Sequence, residues 1–295
     1  MATFATSDQL LVVIDPVARR MDGESVRIAK DVLSGGAASM KVCLPDGPEE
    51  FARALTRRGS RRPVVIGDDR ALVRTVSLLH RRRELAECAL SVVPVGGVLS
   101  LARSLGLPTG AVAASRAVLE GTERRLDLLV DDSDGVVLGA LRIPPVLARE
   151  AAGVNAGLDA GLDAMDGEAP AHPWLRTCQS LVRTLVPARP LRPAQFDPGP
   201  GPSRLRVEVD GETLVDLDQP VEAVTVTPGG SGAAAVEVRP VSVGAEASPL
   251  LARGRRVTVS GADFRYRADA TVAGPVRKRT WTVWEGALGL TLPDG

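Results

Sequence analysis

Along the first part of the chain, apolar and polar positions switch between a strand period and a helix period. Residues 9–14, Q-L-L-V-V-I, are an unbroken apolar run closed by Asp15-Pro16, which predicts a buried strand. Over 22–34, Val26, Ile28, Ala29, Val32 and Leu33 form one apolar stripe, which predicts a helix. A short strand follows at 40–44. Pro48 and two acids then open a helix over 48–58, because proline fits the first turn and acids favour the positive end of the helix dipole. The same reasoning gives strand 64–66, helix 71–83, strand 90–93 and helix 98–105. Four strand-to-helix alternations within about 105 residues predict a parallel sheet with helices on its faces.

The pattern loosens after that. A helix is predicted for 112–120, and strands for 126–130 and 135–142 around the turn D-D-S-D-G. Helical patterns cover 146–165 and 174–186, and a Pro/Gly-rich connector covers 187–202. Then short β-rich stretches recur at 205–209, 223–227, 234–238, 256–259, 264–267, 279–283 and 288–292, separated by Gly, Pro and Asp. That spacing predicts an antiparallel sandwich. The expected organisation is an α/β domain over 1–130 and a mostly antiparallel β-sandwich domain over 131–295. The second domain includes the helical and Pro/Gly-rich connector 146–202 and a C-terminal strand.

Composition narrows the classes of function. Aromatic residues make up 3% of the 295, so stacking platforms for single-stranded nucleic acid are not expected. Lys+Arg and Asp+Glu both total 36, so no global field draws the chain to DNA or to acidic membranes. Arginine outnumbers lysine heavily in a chain rich in Ala, Gly and Pro, which suggests a GC-rich bacterial genome. Cys43, Cys88 and Cys178 fit neither a disulfide framework nor metal-ligand spacing and read as reduced thiols. The first residues lack the basic start and apolar core of a signal peptide. No apolar run approaches the ~20 residues of a membrane span. A soluble cytoplasmic protein is the expectation. His80 and His172 have no Ser or Cys partner at a recognisable spacing, so neither a hydrolase triad nor a zinc site is expected. The arginines near 57–62 and 81–83 read as solvated helix ends, and the repeated G-L-D-A of 155–168 as an acidic helix.

Candidate chemistry centres on 63–71, P-V-V-I-G-D-D-R-A. A β-branched strand climbs to Gly67, as before a phosphate-binding turn, where amides converge on the anion and the following helix adds partial positive charge. Two acids and an arginine follow where glycines are needed. Asp69 could orient a divalent cation; Asp68 has no evident task. A second such turn lies at 92–108, where Gly96 and Gly97 follow the strand end at Pro94. In α/β sheets, ligands bind at the carboxyl ends of neighbouring strands.

These stretches resemble the diacylglycerol kinase and bacterial lipid-kinase family, whose catalytic domain is shared with NAD kinases and sphingosine kinases. Gly67–Ala71 stands at the place of the family's G-G-D-G-T. Pro94, Gly96, Ala102, Leu105, Gly106 and Pro108 stand in register with its second motif. Asp15-Pro16 matches its opening Asn-Pro, and Asp127 the central Asp of a strand entry. The stretches 204–212 and 284–293 resemble the first and closing strands of its β domain.

The resemblance implies transfer of the ATP γ-phosphoryl group to a lipid hydroxyl. Gly67, Asp69, Gly96 and Gly97 would hold nucleotide and phosphate, Asp69 the Mg²⁺, and Asp269 would be the base. The motifs are degenerate, however: Asp68 and Arg70 replace loop glycines, Ala71 the closing Thr, Gly97 a Thr and Leu99 an Asn. The base motif reads R-A-D-A-T, while Asp210-Gly211-Glu212 has the right letters on an earlier strand. Glu246 alone remains of the acidic turn that holds a structural cation. Phosphoryl transfer depends almost entirely on positioning and electrostatics, so several such losses predict a catalytically impaired protein, a binding or regulatory pseudokinase. The alternative is an active diacylglycerol or related lipid kinase with unusual phosphate loops. ATP and Mg²⁺ are the cofactors if it is active, and none otherwise. The partner is a nucleotide or lipid if the cleft functions, and a protein if it does not. A homodimer and a peripheral contact with the inner membrane face stay open.

Overall fold

A computed structural model describes residues 9–145, 202–241 and 248–294. The helices expected at 146–165 and 174–186, the connector and Glu246 lie outside the described residues, as do His172, Cys178 and Trp174.

Strands β1 (Gln9–Ile14), β2 (Ser39–Cys43), β3 (Arg62–Gly67) and β4 (Ala89–Pro94) pair in parallel in the order β2-β1-β3-β4. The apolar runs of β1 and β3 are continuous because both faces are covered, whereas β2 at the edge carries Lys41 and is partly exposed. On one face, Leu11, Val13, Val65 and Val92 pack against helices α3 (Pro48–Thr56), α4 (Asp69–Arg81) and α5 (Ser100–Ser104), through Phe51, Leu55, Leu72, Leu79 and Leu101. On the other, Leu10, Val12, Val64 and Val93 pack against α2 (Gly23–Gly36) and α6 (Ala111–Glu120), through Ala29, Leu33, Ala114 and Val118. A short helix α1 (Pro16–Met21), not read from the sequence, starts at Asp15, whose carboxylate accepts the Val17 N–H at 2.8 Å.

The β-rich remainder is built on two long strands, β13 (Arg256–Ala268) and β14 (Thr271–Leu292), which pair antiparallel. Each had read as two short strands. The polar interruption in β14 is a bulge rather than a break: its register with β5 (Thr122–Asp131) shifts between Trp284 and Leu288, where Gly286 has φ +56°. The boundary drawn at residue 130 falls on the penultimate residue of β5. Beyond β6 (Val136–Val137), β7 (Leu141–Ile143) links β13 to β10 (Pro220–Pro228), which pairs antiparallel with β11 (Ala234–Pro240), and that with β12 (Leu250–Gly254). β8 (Ser203–Val209) pairs with β13 and forms a hairpin with β9 (Glu212–Val215). The core here is centred on Trp281, fully buried, with Tyr266 edge-on to it at 5.3 Å.

At its far end β14 stays antiparallel to β5 and also meets the parallel sheet on its other edge. Gly289 and Leu290 pair in parallel with Ala89 and Leu90 of β4. Leu288, Leu290 and Leu292 thereby enter the core under α4 and α5. No helix among the described residues is long and apolar enough to cross a membrane.

Candidate functional site

The turn between β3 and α4 decides what the G-D-D-R-A stretch can do. The first N–H groups of a helix have no partner inside it, which is why a helix start can bind phosphate. At α4 the amides of Asp69, Arg70 and Ala71 are taken. Asp69 N donates to Val98 O at 3.0 Å, and the first regular helical bond runs from Leu72 N to Asp68 O at 3.1 Å. The Arg70 and Ala71 amides both donate to Asp68 Oδ1, at 3.0 and 3.1 Å. Asp68 is therefore the N-cap of α4. An Asp one residue before a helical apolar pattern is an N-cap signal, and it moves the helix start from the expected Ala71 back to Asp69.

Asp69 is buried at 1% exposure. Its Oδ2 accepts the Leu101 N–H at 2.8 Å and the Ser100 hydroxyl at 3.2 Å, and its Oδ1 accepts the Ala102 N–H at 3.0 Å. The carboxylate considered for a cation thus holds the start of α5. This link could not be read from spacing, because α5 lies about thirty residues further on.

The glycines serve close packing of the two turns. A Cβ on Gly67 would lie 2.5 Å from Ala71 Cβ and 3.1 Å from Asp15 Cβ. Gly96, at φ +132°, presents its Cα to Asp68, whose Cβ would be 3.1 Å from an added Cβ. Gly97 faces Met21, with its Cε at 3.2 Å by the same measure. Gly67, Gly96 and Gly97 thus pack against residues of this chain: Asp15 and Ala71, Asp68, and Met21 in turn.

Asp269 lies in the turn between β13 and β14 at φ +49°. Its Oδ2 accepts Leu138 N–H at 2.7 Å, and its Oδ1 accepts Gly139 and Ala140 N–H at 2.8 and 3.0 Å. Burial pushes this carboxyl above the ordinary range, the three amides pull the other way, and the nearby Asp69 charge adds to the rise. The 138–140 turn also touches α5: a Cβ on Gly139 would lie 2.6 Å from Leu101 Cδ1. Asp69 and Asp269 therefore sit on either side of the Leu101 end of α5, each fastened to backbone amides.

The residues present do not fit Mg²⁺-ATP as the resemblance would have it. The Asp69, Arg70 and Ala71 amides at the α4 start are satisfied within the chain, and both aspartates already accept three hydrogen bonds. Among the described residues, no group of three or more His, Cys, Asp or Glu could hold a metal ion.

The remaining acids of the sequence reading are also tied to the chain. Asp15 pairs with Arg74 at 2.9 Å. Asp127 accepts the amides of Gly232 and Gly286, both at 2.8 Å, joining the β10–β11 turn to the β14 bulge. Asp210-Gly211 is a hairpin turn, with φ +52° and +92°, and the Asp210 carboxylate accepts the amides of Arg255 and Arg256. In the arginine cluster, Arg58 pairs with Glu84, and Arg62 reaches Ser91 Oγ at 3.1 Å and Val118 O at 2.8 Å. His80 is buried edge-on to Trp284, with Nε2 3.7 Å from Asp134.

No protein-family model matches the sequence, and no curated protein matches it. Solved structures do. A diacylglycerol kinase from Bacillus anthracis str. Sterne aligns at TM-score 0.64 and 10% identity, covering 97% of each chain. Two structures of a candidate diacylglycerol kinase from the same organism align at 0.65, with 11% and 12% identity and the same coverage. The chain has the diacylglycerol-kinase fold. At such identity the likeness is one of fold, and a fold does not carry a function by itself.

Proposed function

We propose that this chain is a non-catalytic protein of the diacylglycerol-kinase fold, a pseudokinase that binds a ligand or a protein partner and does not transfer phosphate. The observation that supports this reading is the Asp68 carboxylate, which occupies the Arg70 and Ala71 amides at the start of α4. A phosphate arriving there would have to displace the Asp68 carboxylate, which repels it, from the Arg70 and Ala71 amides. Phosphoryl transfer needs free donors already aimed at the charge that develops. Asp69 and Asp269, the residues proposed for the cation and the base, act in this reading as clasps of α5 and of the 138–140 turn.

Calorimetric titration with ATP, with and without Mg²⁺, tests the proposal together with an assay for phosphate incorporation into diacylglycerol. The expected result is no saturable binding at millimolar ATP and no product. Mg²⁺-dependent binding with turnover would overturn it and establish the active lipid kinase. A second arm uses the triple variant Asp68→Gly, Arg70→Gly, Ala71→Thr, which removes the internal cap. It should gain ATP affinity over the parent; equal lack of affinity would place the loss outside this turn.

A further inference from the structure

A pocket of about 330 Å³ lies at the free edge of the parallel sheet, between β2 and α3. It is not part of the cleft formed by the turns after β3 and β4. The β1–β2 register sets Lys41 beside Leu11 and Cys43 beside Val13, so all four side chains point to the α3 face. Its volume is at the lower end of the roughly 300–1,000 Å³ of small-molecule sites.

Floor and rim differ in chemistry. Leu11, Cys43 and Ala54 line the floor, with Leu44 and Pro45 at one end. Lys41, Arg53 and Arg57 stand around it, and Glu50 is the one acid in the lining. Glu50 is already engaged: its Oε2 accepts the Asp46 N–H at 3.0 Å, and its Oε1 is 3.9 Å from Arg53 Nη2. The side chains of Lys41 and Arg57 have no hydrogen-bond or ion-pair partner among the described residues. Two uncommitted cations therefore flank an apolar floor, with the nearest carboxylate turned to other partners. In a chain of zero net charge, this is a local excess of positive charge around a concave site with apolar side chains at its base.

We propose that this edge pocket binds a small organic anion with an apolar body, its charged head between Lys41 and Arg57 and its body over Leu11, Cys43 and Ala54. A carboxylate and a phosphate monoester share this chemistry. Being partly exposed, the cations make the affinity modest and salt-sensitive.

The test titrates the full chain with hexanoate and, separately, with hexyl phosphate, with hexan-1-ol and inorganic phosphate as controls. Alkylation of Cys43, read by peptide mass spectrometry, reports occupancy of the pocket itself. At least one of the two amphiphiles should bind saturably with one site per chain and slow the alkylation of Cys43. Which of them binds more tightly identifies the head group. Both controls should bind more weakly, and the double variant Lys41→Met, Arg57→Met should lose roughly tenfold in affinity. Both side chains are exposed, so the variant keeps the fold, and its unfolding midpoint verifies that. The proposal fails if neither amphiphile saturates, if the double variant binds as the parent does, if inorganic phosphate binds as tightly, or if Cys43 is not protected.

Discussion

Gly67 and Ala71 meet so closely that a Cβ added to the glycine would lie 2.5 Å from the Cβ of the alanine. Neither atom can turn aside, because a Cβ is fixed by its own backbone. Gly67→Ala should therefore destabilise the protein by about 1–3 kcal/mol through overpacking. Adding Ala71→Gly should recover part of that loss. Urea unfolding midpoints of the two single variants and the double variant measure the coupling, which should be clearly non-additive.

Asp69 fastens α5 through two amides and a hydroxyl. Asp69→Ala should cost roughly 2–4 kcal/mol, since it leaves the buried Leu101 and Ala102 amides without a partner. The loss should be the same with and without Mg²⁺ in a denaturant titration. A cation site would instead make the parent's stability rise with Mg²⁺ and the variant's stay flat.

Two carboxyls should give pH dependences of opposite sign. Burial, aided by Asp69 and opposed by the 138–140 amides, holds Asp269 above its reference value of 3.8. Its contribution to stability is fully present below that value and is lost as pH rises through the folded pKa. For Asp131, burial raises the pKa, but hydrogen bonds from Ser133 and Gly135, with the Arg279 charge, outweigh it and hold the group below 3.8. Its contribution is present above 3.8 and is lost as pH falls through the lower folded value. Asp269→Asn should flatten the decline on the alkaline side of 3.8, and Asp131→Asn the decline on the acid side. Unfolding midpoints between about pH 2.5 and 7 check both signs.

The two described cysteines should differ in reactivity. Cys88 is 4% exposed, and burial pushes its thiol up, whereas Cys43 is half-buried at the edge pocket. In native protein, iodoacetamide should modify Cys43 well before Cys88, and unfolding should abolish the difference. Peptide mapping at timed quenches gives the ratio.

The parallel sheet was legible because each of its strands is short, apolar and bounded by a turn signal. Helix α1 was not, because six residues after Asp15-Pro16 carry too little periodicity to separate them from a loop. The long strand β14 read as two because the bulge at Gly286 breaks the alternation, and it read as starting late because Arg277 and Lys278 are polar, while hydrogen bonding to β5 and β13 continues. In the candidate site, Gly67, Asp69, Gly96 and Gly97 were singled out by the strand-to-glycine turns, and Asp269 by the resemblance. The partners of Asp69 and Asp269 were not legible, because they lie 31 to 33 and 129 to 131 residues away. Asp68 was the exception: its capping task needs only its immediate neighbours and follows from the rule for helix starts.

The pairing of β4 with the end of β14 also has a consequence for how the protein is made. Ser91 and Thr291, hydrogen-bonded at 2.9 Å, are 200 residues apart in the chain. On a ribosome, β1 to β4 and their helices emerge long before the strand that closes the β4 edge. During that interval Leu90 and its neighbours present unpaired backbone and apolar surface to the cell. Completion of the parallel sheet therefore waits on a strand made 200 residues after β4.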